Sequence, residues 1–342
     1  ILGNGDSPWH VEGDATLGYR LIDDRSGQTI PIEFEPLRPW LTQKTTDGLP
    51  YAQAGVTTHG DMLVINVAPG CEYFLHKHDG VSMRCGFCAY GAPDERTKHL
   101  GQVAGQVEIP PPTLDRMREA LDAVTDQTEI RHIYLVGGSL TDARKEGERF
   151  LQLARYVKQV NRRGIPVALG SGALPDDLIA QFHAEGLVQH VCFNLEMWSE
   201  PLFAKICPGK HRYVGYGRWI EALETAVRHW GRGHVYSAMV AGIELEPEHG
   251  LEWEEAARIA LQGADDLCSR GIIPIYSLVW PVGGRQRADY HARIRNYFET
   301  LSSGYREIRQ RHGLTVSDGF MCHRCAYMQL ECDMDRAALV AA

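Results

Sequence analysis

The 342-residue chain lacks any apolar run of the roughly eighteen residues a membrane-spanning helix needs, so none is expected. Its opening stretch, ILGNGDSPWH, has neither the basic nor the apolar part of a secretory signal, and a cytoplasmic location follows as the expectation. Because the numbering begins at Ile1 rather than Met, native N-terminal residues are expected to precede it. Basic charge is also scarce. Lys and Arg total 35 against 44 Asp and Glu, giving a net charge of -9 and a pI near 5.9. A nucleic-acid partner would need Lys and Arg clustered on one face, and the short mixed stretches RTKHLGQ and NRRG read instead as solvated surface. No internal repeat and no low-complexity tract is present.

What is present is ordinary globular composition, 44% hydrophobic and 23% charged, with enough apolar material for a large core. Residues 1 to 59 are rich in Gly, Pro, Asp and Thr, and a stretch such as PIEFEPLRPW predicts an N-terminal extension of short strands and turns. From residue 60 the pattern changes. MLVINVAP is a continuous apolar run suited to a parallel strand buried on both faces. Five further strands are predicted in IRHIYLVGGS, IPVALGSG, VQHVCFNLE, HVYSAMVAGIE and IIPIYSLVWP, with helical stretches between and after them. This regular alternation implies a parallel sheet, doubly wound or rolled into a full or partial barrel. In a barrel, function gathers at the strand C-terminal ends, where GGS, GSG, NLE, GIELE and WPVGG all fall.

Nine cysteines in a chain expected in a reducing compartment point to metal binding or chemistry more than to disulfides. Six are grouped: Cys71, Cys85 and Cys88 after the first strand of the alternating series, and Cys322, Cys325 and Cys332 near the C-terminus. Cys85 and Cys88, two residues apart, can share one metal ion or one cluster. A CxxC alone reads equally well as a zinc site or redox dithiol and as one corner of a cluster. The aromatic Phe87 before the last cysteine, the position after the first strand, and Cys71 at that strand's end go beyond a lone CxxC.

With those features the chain resembles the radical SAM superfamily, over roughly residues 60 to 300. The usual signature there is C-x3-C-x-aromatic-C after the first barrel strand. Here thirteen residues, 72 to 84, replace the usual three. The resemblance implies a partial (β/α)6 TIM-like barrel (60–300), preceded by the extension (1–59) and followed by a C-terminal helix and cysteine-rich segment (301–342). It implies a [4Fe-4S] cluster on Cys71, Cys85 and Cys88, with one iron left for S-adenosylmethionine. His76 or His78 stands as an alternative to Cys71. Gly137, Gly138 and Ser139 take the place of the family's GGE beside the SAM amino group. Asn194 and Glu196 resemble the Asn-x-acidic pair of biotin and lipoyl synthases, Arg218 the arginine near the SAM carboxylate, and Gly242 with Glu244 or Glu246 the strand bordering adenine and ribose. LVWPVGG is similar to the family's sixth-strand motif. A small-molecule substrate and an external electron donor such as flavodoxin or ferredoxin follow.

In that setting CHRCAYMQLEC reads as an auxiliary [4Fe-4S] cluster on Cys322, Cys325 and Cys332, with His323, Cys207, the substrate or nothing as fourth ligand. Sulfur insertion by a sulfurtransferase-like enzyme is the first expectation. Dehydrogenation, epimerisation or rearrangement of a natural-product or antibiotic precursor by an oxidoreductase is the second. No signature of a peptide-leader reader or cobalamin domain stands out, which counts against peptide maturation and methyl transfer. The reading from another class is a zinc-stabilised (β/α) binding or hydrolytic protein. Cys192 and Cys268 read as small apolar core residues. Trp219 and Trp253 read as packing, and Trp198 and Trp280 as walls of a pocket.

Overall fold

The computed structural model describes residues 8–34, 38–68, 70–88, 111–127, 129–246, 248–278 and 290–315. It divides into two compact units, Ile1–Gln43 and Lys44–Ala342. In the first unit, strands β1 (Trp9–Asp14), β2 (Gly18–Asp23) and β3 (Thr29–Ile32) form an antiparallel sheet. Pairing Val11 with Leu21 and Leu21 with Ile30 puts these apolar residues in one cross-strand row.

The second unit is a mixed α/β fold around a seven-stranded sheet. An edge strand β4 (Val56–His59) runs antiparallel to β5 (Met62–Asn66), which carries the cysteine loop at its end. That loop contains a short helix α1 (Glu72–Leu75) and a hairpin of β6 (Lys77–His78) and β7 (Val81–Ser82). Helix α2 (Pro111–Val124) precedes β8 (His132–Val136), and α3 (Ala143–Val160) precedes β9 (Val167–Ser171). Next come α4 (Asp176–Ala184), β10 (His190–Phe193), α5 (Glu200–Ile206), α6 (Pro208–Tyr213) and α7 (Tyr216–Trp230). The chain continues with β11 (Val235–Ala241), α8 (Trp253–Ser269), β12 (Ile272–Leu278) and α9 (Tyr290–Arg311).

From β5 through β8, β9, β10 and β11 to β12, each strand pairs in parallel with the next one in the order given. That consecutive order lacks the reversal of a doubly wound sheet, so the chain winds in one direction as barrels do. The connections through 89–110 and 279–289, on which a count of (β/α) units depends, lie outside the described residues. Strand β9 is buried at every position, and Leu63, Ile65, Ile133, Leu135, Val191 and Phe193 are fully or almost fully buried, as two-sided coverage by helices requires. Asp142 caps α3 by accepting from Arg144 N and Lys145 N at 2.9 and 3.2 Å. Helices α5 and α6, absent from the sequence expectation, insert between β10 and α7.

Candidate active site

The thirteen residues between Cys71 and Cys85 fold back on themselves. After α1 the chain makes the β6–β7 hairpin, whose turn residues Asp79 and Gly80 have φ of 50° and 79°, the left-handed values a two-residue hairpin turn demands. Met83 N then donates to His76 O at 3.0 Å, so the chain leaves and re-enters at one place. The insertion projects as a hairpin and returns Cys85 to the neighbourhood of Cys71, near enough for its charge to disfavour the Cys71 thiolate. Cys88 follows one turn later, its N–H donating to Cys85 O at 3.0 Å, and Phe87 beside it is half-buried. The two histidines point to other partners. His78 Nε2 lies 3.1 Å from Asp79 at the hairpin tip, and the His76 ring packs edge-on to Tyr213 at 5.6 Å.

The glycines of GGS have a steric reason. A Cβ on Gly138 would lie 2.0 Å from Gly70 O and 2.6 Å from Cys71 Cα, and one on Gly137 would lie 2.5 Å from Val67. The end of β8 therefore presses directly on the strand end that carries Cys71. Gly138 N donates to Ala68 O at 3.0 Å, Glu72 N donates to Ser139 O at 2.9 Å, and Thr141 donates to Glu72 from both backbone and hydroxyl. Burial raises the Cys71 thiol pKa.

Across from the loop stand Asn194 and Glu196, just past β10. Glu196 has φ of 72°, a left-handed conformation rare for a residue with a side chain, and it is clamped there by Glu196 N to Ala238 O (2.9 Å) and Val240 N to Glu196 O (2.8 Å). The twist delivers its carboxylate to Lys210 Nζ at 2.6 Å. The same ammonium donates to Asn194 O at 2.7 Å and lies 4.8 Å from the Trp219 ring centre. Lys210 and Glu196 are only 7% and 9% exposed. Burial would strip the lysine of its proton, but the charges of Glu196, Cys85 and Cys207 hold its pKa above the usual value. Burial pushes the Glu196 carboxyl up, against the pull of Lys210. Sequence reasoning missed Lys210, which sits on α6 within the unexpected helix pair; the CPGK stretch that begins eleven residues after NLE was its only signal.

Cys85 is 7% exposed and Cys207 fully buried, and their thiols hydrogen-bond. That bond from Cys207, with help from the Lys210 ammonium against desolvation, lowers the Cys85 pKa, while burial pushes Cys207 far up. Cys192 and Cys268 are buried thiols, each pushed up to about 12 chiefly by desolvation, and Cys192 Sγ donates to Asn194 Oδ1 at 3.1 Å.

Arg218 is engaged elsewhere. On the first turn of α7 it donates to Leu174 O (2.9 Å) and Asp176 (2.6 Å), with Glu221 at 3.5 Å, tying α7 to the start of α4. Gly242, with φ of 96°, ends β11 in a left-handed turn that buries Glu244, whose carboxylate accepts from Gly242 N at 3.1 Å and from the Tyr297 hydroxyl at 2.7 Å. Burial raises the Glu244 pKa. Beside Glu196 and Glu244 lies a small cavity of about 10 Å³, room for about one water, lined by Glu196, Trp198, Met239, Glu244, Tyr276 and Tyr297. Trp198 is seated against Gly263 of α8, where a Cβ would come within 2.4 Å of its ring. Trp280, LVWPVGG beyond Leu278, Cys322, His323, Cys325 and Cys332 lie outside the described residues.

Three thiols carried by one loop at a strand end are a donor set that suits an iron–sulfur cluster or a zinc ion alike. Among the described residues no group of three His, Cys, Asp or Glu side chains is placed to hold a metal ion, and no helix is long and apolar enough to cross a membrane.

No family model matches the chain. A curated relative, the bacteriochlorophyllide c C-7(1)-hydroxylase of Chlorobaculum limnaeum, is 24% identical over 258 residues, covering 72% of this chain and 59% of the relative. The chain thus spans well under two thirds of that relative's length. Solved structures that resemble it include a radical SAM methyltransferase from Sphaerobacter thermophilus (16% identity, 91% of this chain and 76% of that one, TM-score 0.40). Another is Streptococcus suis SuiB (12% identity, 94% and 73%, TM-score 0.46). A third is the radical SAM enzyme coproporphyrinogen III oxidase HemN from Escherichia coli (10% identity, 85% and 55%, TM-score 0.39).

Proposed function

We propose that this chain is a radical SAM enzyme that functionalises an unactivated C–H bond of a small molecule. The observation that carries the proposal is the strand-end cradle: Cys71, Cys85 and Cys88 on one folded-back loop, pressed against Gly137 and Gly138 and facing the buried Lys210–Glu196 pair. Cys71, Cys85 and Cys88 would hold a [4Fe-4S] cluster, which when bound would supply the electron for reductive cleavage of S-adenosylmethionine and so the hydrogen-abstracting chemistry. The chain's own residues bind, orient and exclude water.

Gly137 and Gly138 keep side chains away from the strand end where the SAM amino group approaches, beside Ser139. Lys210 is the cation placed for the SAM carboxylate, a role its buried position suits better than that of Arg218, whose guanidinium is committed to Asp176. Asn194 and Glu196 offer acceptors to the ribose and amine. Gly242 and Glu244 lie at the end of β11, the strand end we assign to adenine and ribose, and Trp198 and Tyr276 line the small cavity beside Glu244.

The likeness to a hydroxylase supports oxidation at carbon as the outcome. Sulfur insertion is the second reading, favoured by the grouped Cys322, Cys325 and Cys332, which suit an auxiliary [4Fe-4S] cluster. Either reaction needs an external one-electron donor of the flavodoxin or ferredoxin kind.

The test is iron and acid-labile sulfide per chain after anaerobic reconstitution, with low-temperature EPR before and after S-adenosylmethionine, and 5'-deoxyadenosine assayed under reductant. About eight irons with a SAM-shifted signal are expected for two clusters, and about four if only the strand-end loop carries one. Cys85→Ala should drop 5'-deoxyadenosine to background. A protein that takes up no iron, or a Cys85→Ala variant that still cleaves SAM, overturns the proposal.

A further inference from the structure

The segment leading into Cys88 runs beside the junction of α5 and α6. Gly86 N donates to Ile206 O at 2.8 Å, and Gly209 N donates to Met83 O at 3.1 Å. Cys85 and Cys207 lie between those two bonds, one on each segment, and their thiols meet in a side-chain hydrogen bond. Close approach is built into the backbone: a Cβ on Gly209 would lie 2.6 Å from Met83 O and 2.8 Å from the Tyr73 ring. Both thiols are buried, Cys207 completely, so neither side chain can swing out to solvent without disturbing the clamp. Cys207 has no part in the proposed cluster, yet a core thiol with a merely apolar role would not need a second cysteine against it.

We propose that Cys85 and Cys207 form a reversible disulfide when the cysteine loop is free of metal and meets a peroxide. Two backbone bonds, one on either side of Cys85 and Cys207, fasten the two segments together while the facing thiols meet between them, which favours closure of a disulfide. The step balances with hydrogen peroxide as oxidant. The Cys85 sulfur attacks one peroxide oxygen, forming a sulfenic acid and releasing one water. The Cys207 sulfur then displaces the sulfenic oxygen, which leaves as a second water. The two thiols lose two electrons to the peroxide, and their two protons end in the waters.

The cross-link spares Cys85 the irreversible steps of the oxidation ladder. It also withdraws Cys85 from metal binding until a dithiol reductant restores both thiols by exchange. Loading of the loop is thereby tied to reducing conditions. The proposal stands apart from the cluster assignment, since it concerns the metal-free thiols and holds equally for a loop that binds zinc.

The experiment uses the full chain, stripped of metal and reduced, then treated with about one equivalent of hydrogen peroxide, alkylated and digested without reductant for mass spectrometry. The expected result is one species joining the Cys85 and Cys207 peptides, a loss of about two of the nine free thiols, and full return after dithiothreitol. In Cys207→Ala, checked by circular dichroism and a melting curve for intact fold, the cross-link should vanish and Cys85 should instead reach sulfinic acid. Joining of Cys85 to Cys71 or Cys88 in the wild-type chain, or a sulfinic Cys85 beside an untouched Cys207, overturns the proposal. If Cys207→Ala fails to fold, the wild-type peptide map decides alone.

Discussion

The two ends of the parallel sheet bury polar side chains for opposite reasons. At the C-terminal ends, Lys210 and Glu196 are a charged pair held in a low-dielectric pocket, next to a left-handed Glu196 and two facing thiols. At the N-terminal ends, Asp61, His132 and His190 are equally buried, and burial holds His190 toward its neutral form. His190 stacks on His234 with ring centres 5.1 Å apart and planes at 16°, and burial, followed by His234 and His132, lowers its pKa to about 4. His132 Nε2 lies 4.0 Å from Asp61. One end keeps a buried ion pair and a left-handed residue, and the other buries a histidine held toward neutrality. The contrast matches the division of labour along parallel barrels, function at the strand C-termini and stability at the N-termini.

The sharpest way to break that contrast is to leave one charge of the upper pair alone. Lys210→Met should cost about 3–5 kcal/mol in urea unfolding, because Glu196 becomes an uncompensated buried carboxylate. Adding Glu196→Gln to that variant should recover most of the loss, and no recovery would mean that Lys210 acts through packing on Trp219.

The lower end should respond to acid. His190 titrates near 4 when folded and near 6.5 when unfolded, so the unfolded state takes up the proton first as pH falls. Its contribution to stability is complete above about pH 6.5 and is lost between there and about pH 4, amounting to about 3 kcal/mol. His190→Gln should flatten that part of the stability–pH curve, and an unchanged slope would assign it to other groups.

Gly138→Ala tests the press of β8 on the cysteine strand. It should destabilise by about 1–3 kcal/mol and reduce iron uptake, because the new methyl collides with Gly70 O, a backbone atom that cannot step aside. The smallest effect belongs to the hairpin tip. His78→Ala should shift stability by less than about 0.5 kcal/mol and leave iron content unchanged. A fall in iron would make His78 a ligand in place of Cys71.

Much of the second unit was legible from hydrophobic pattern. All six predicted strands of the alternating series are found, because continuous apolar runs such as VALGS and HVCF leave few alternatives when both faces are covered. The antiparallel edge strand Val56–His59 was not anticipated, since VTTH carries no apolar run and gains its place only by pairing with Met62–Asn66. Helices α5 and α6 were missed because each spans fewer than eight residues and Pro201 and Pro208 interrupt any helical period, so EPLFAKICPGKHRY reads as loop. With them went Lys210 and the close pairing of Cys207 with Cys85. Arg218 carried the right charge at the expected spacing, but Asp176 and Glu221 stand within its reach and engage it.

The sequence by itself determined the alternation of strands and helices and the strand end at which cysteine, glycine and acidic motifs collect, because both depend on local apolar period and chain order, while the order of the strands in the sheet came from their pairing. Only the tertiary structure decided which side chains meet there. The distance of Lys210 from Glu196, or of Cys207 from Cys85, depends on how segments far apart in the chain pack, and no local pattern encodes that separation.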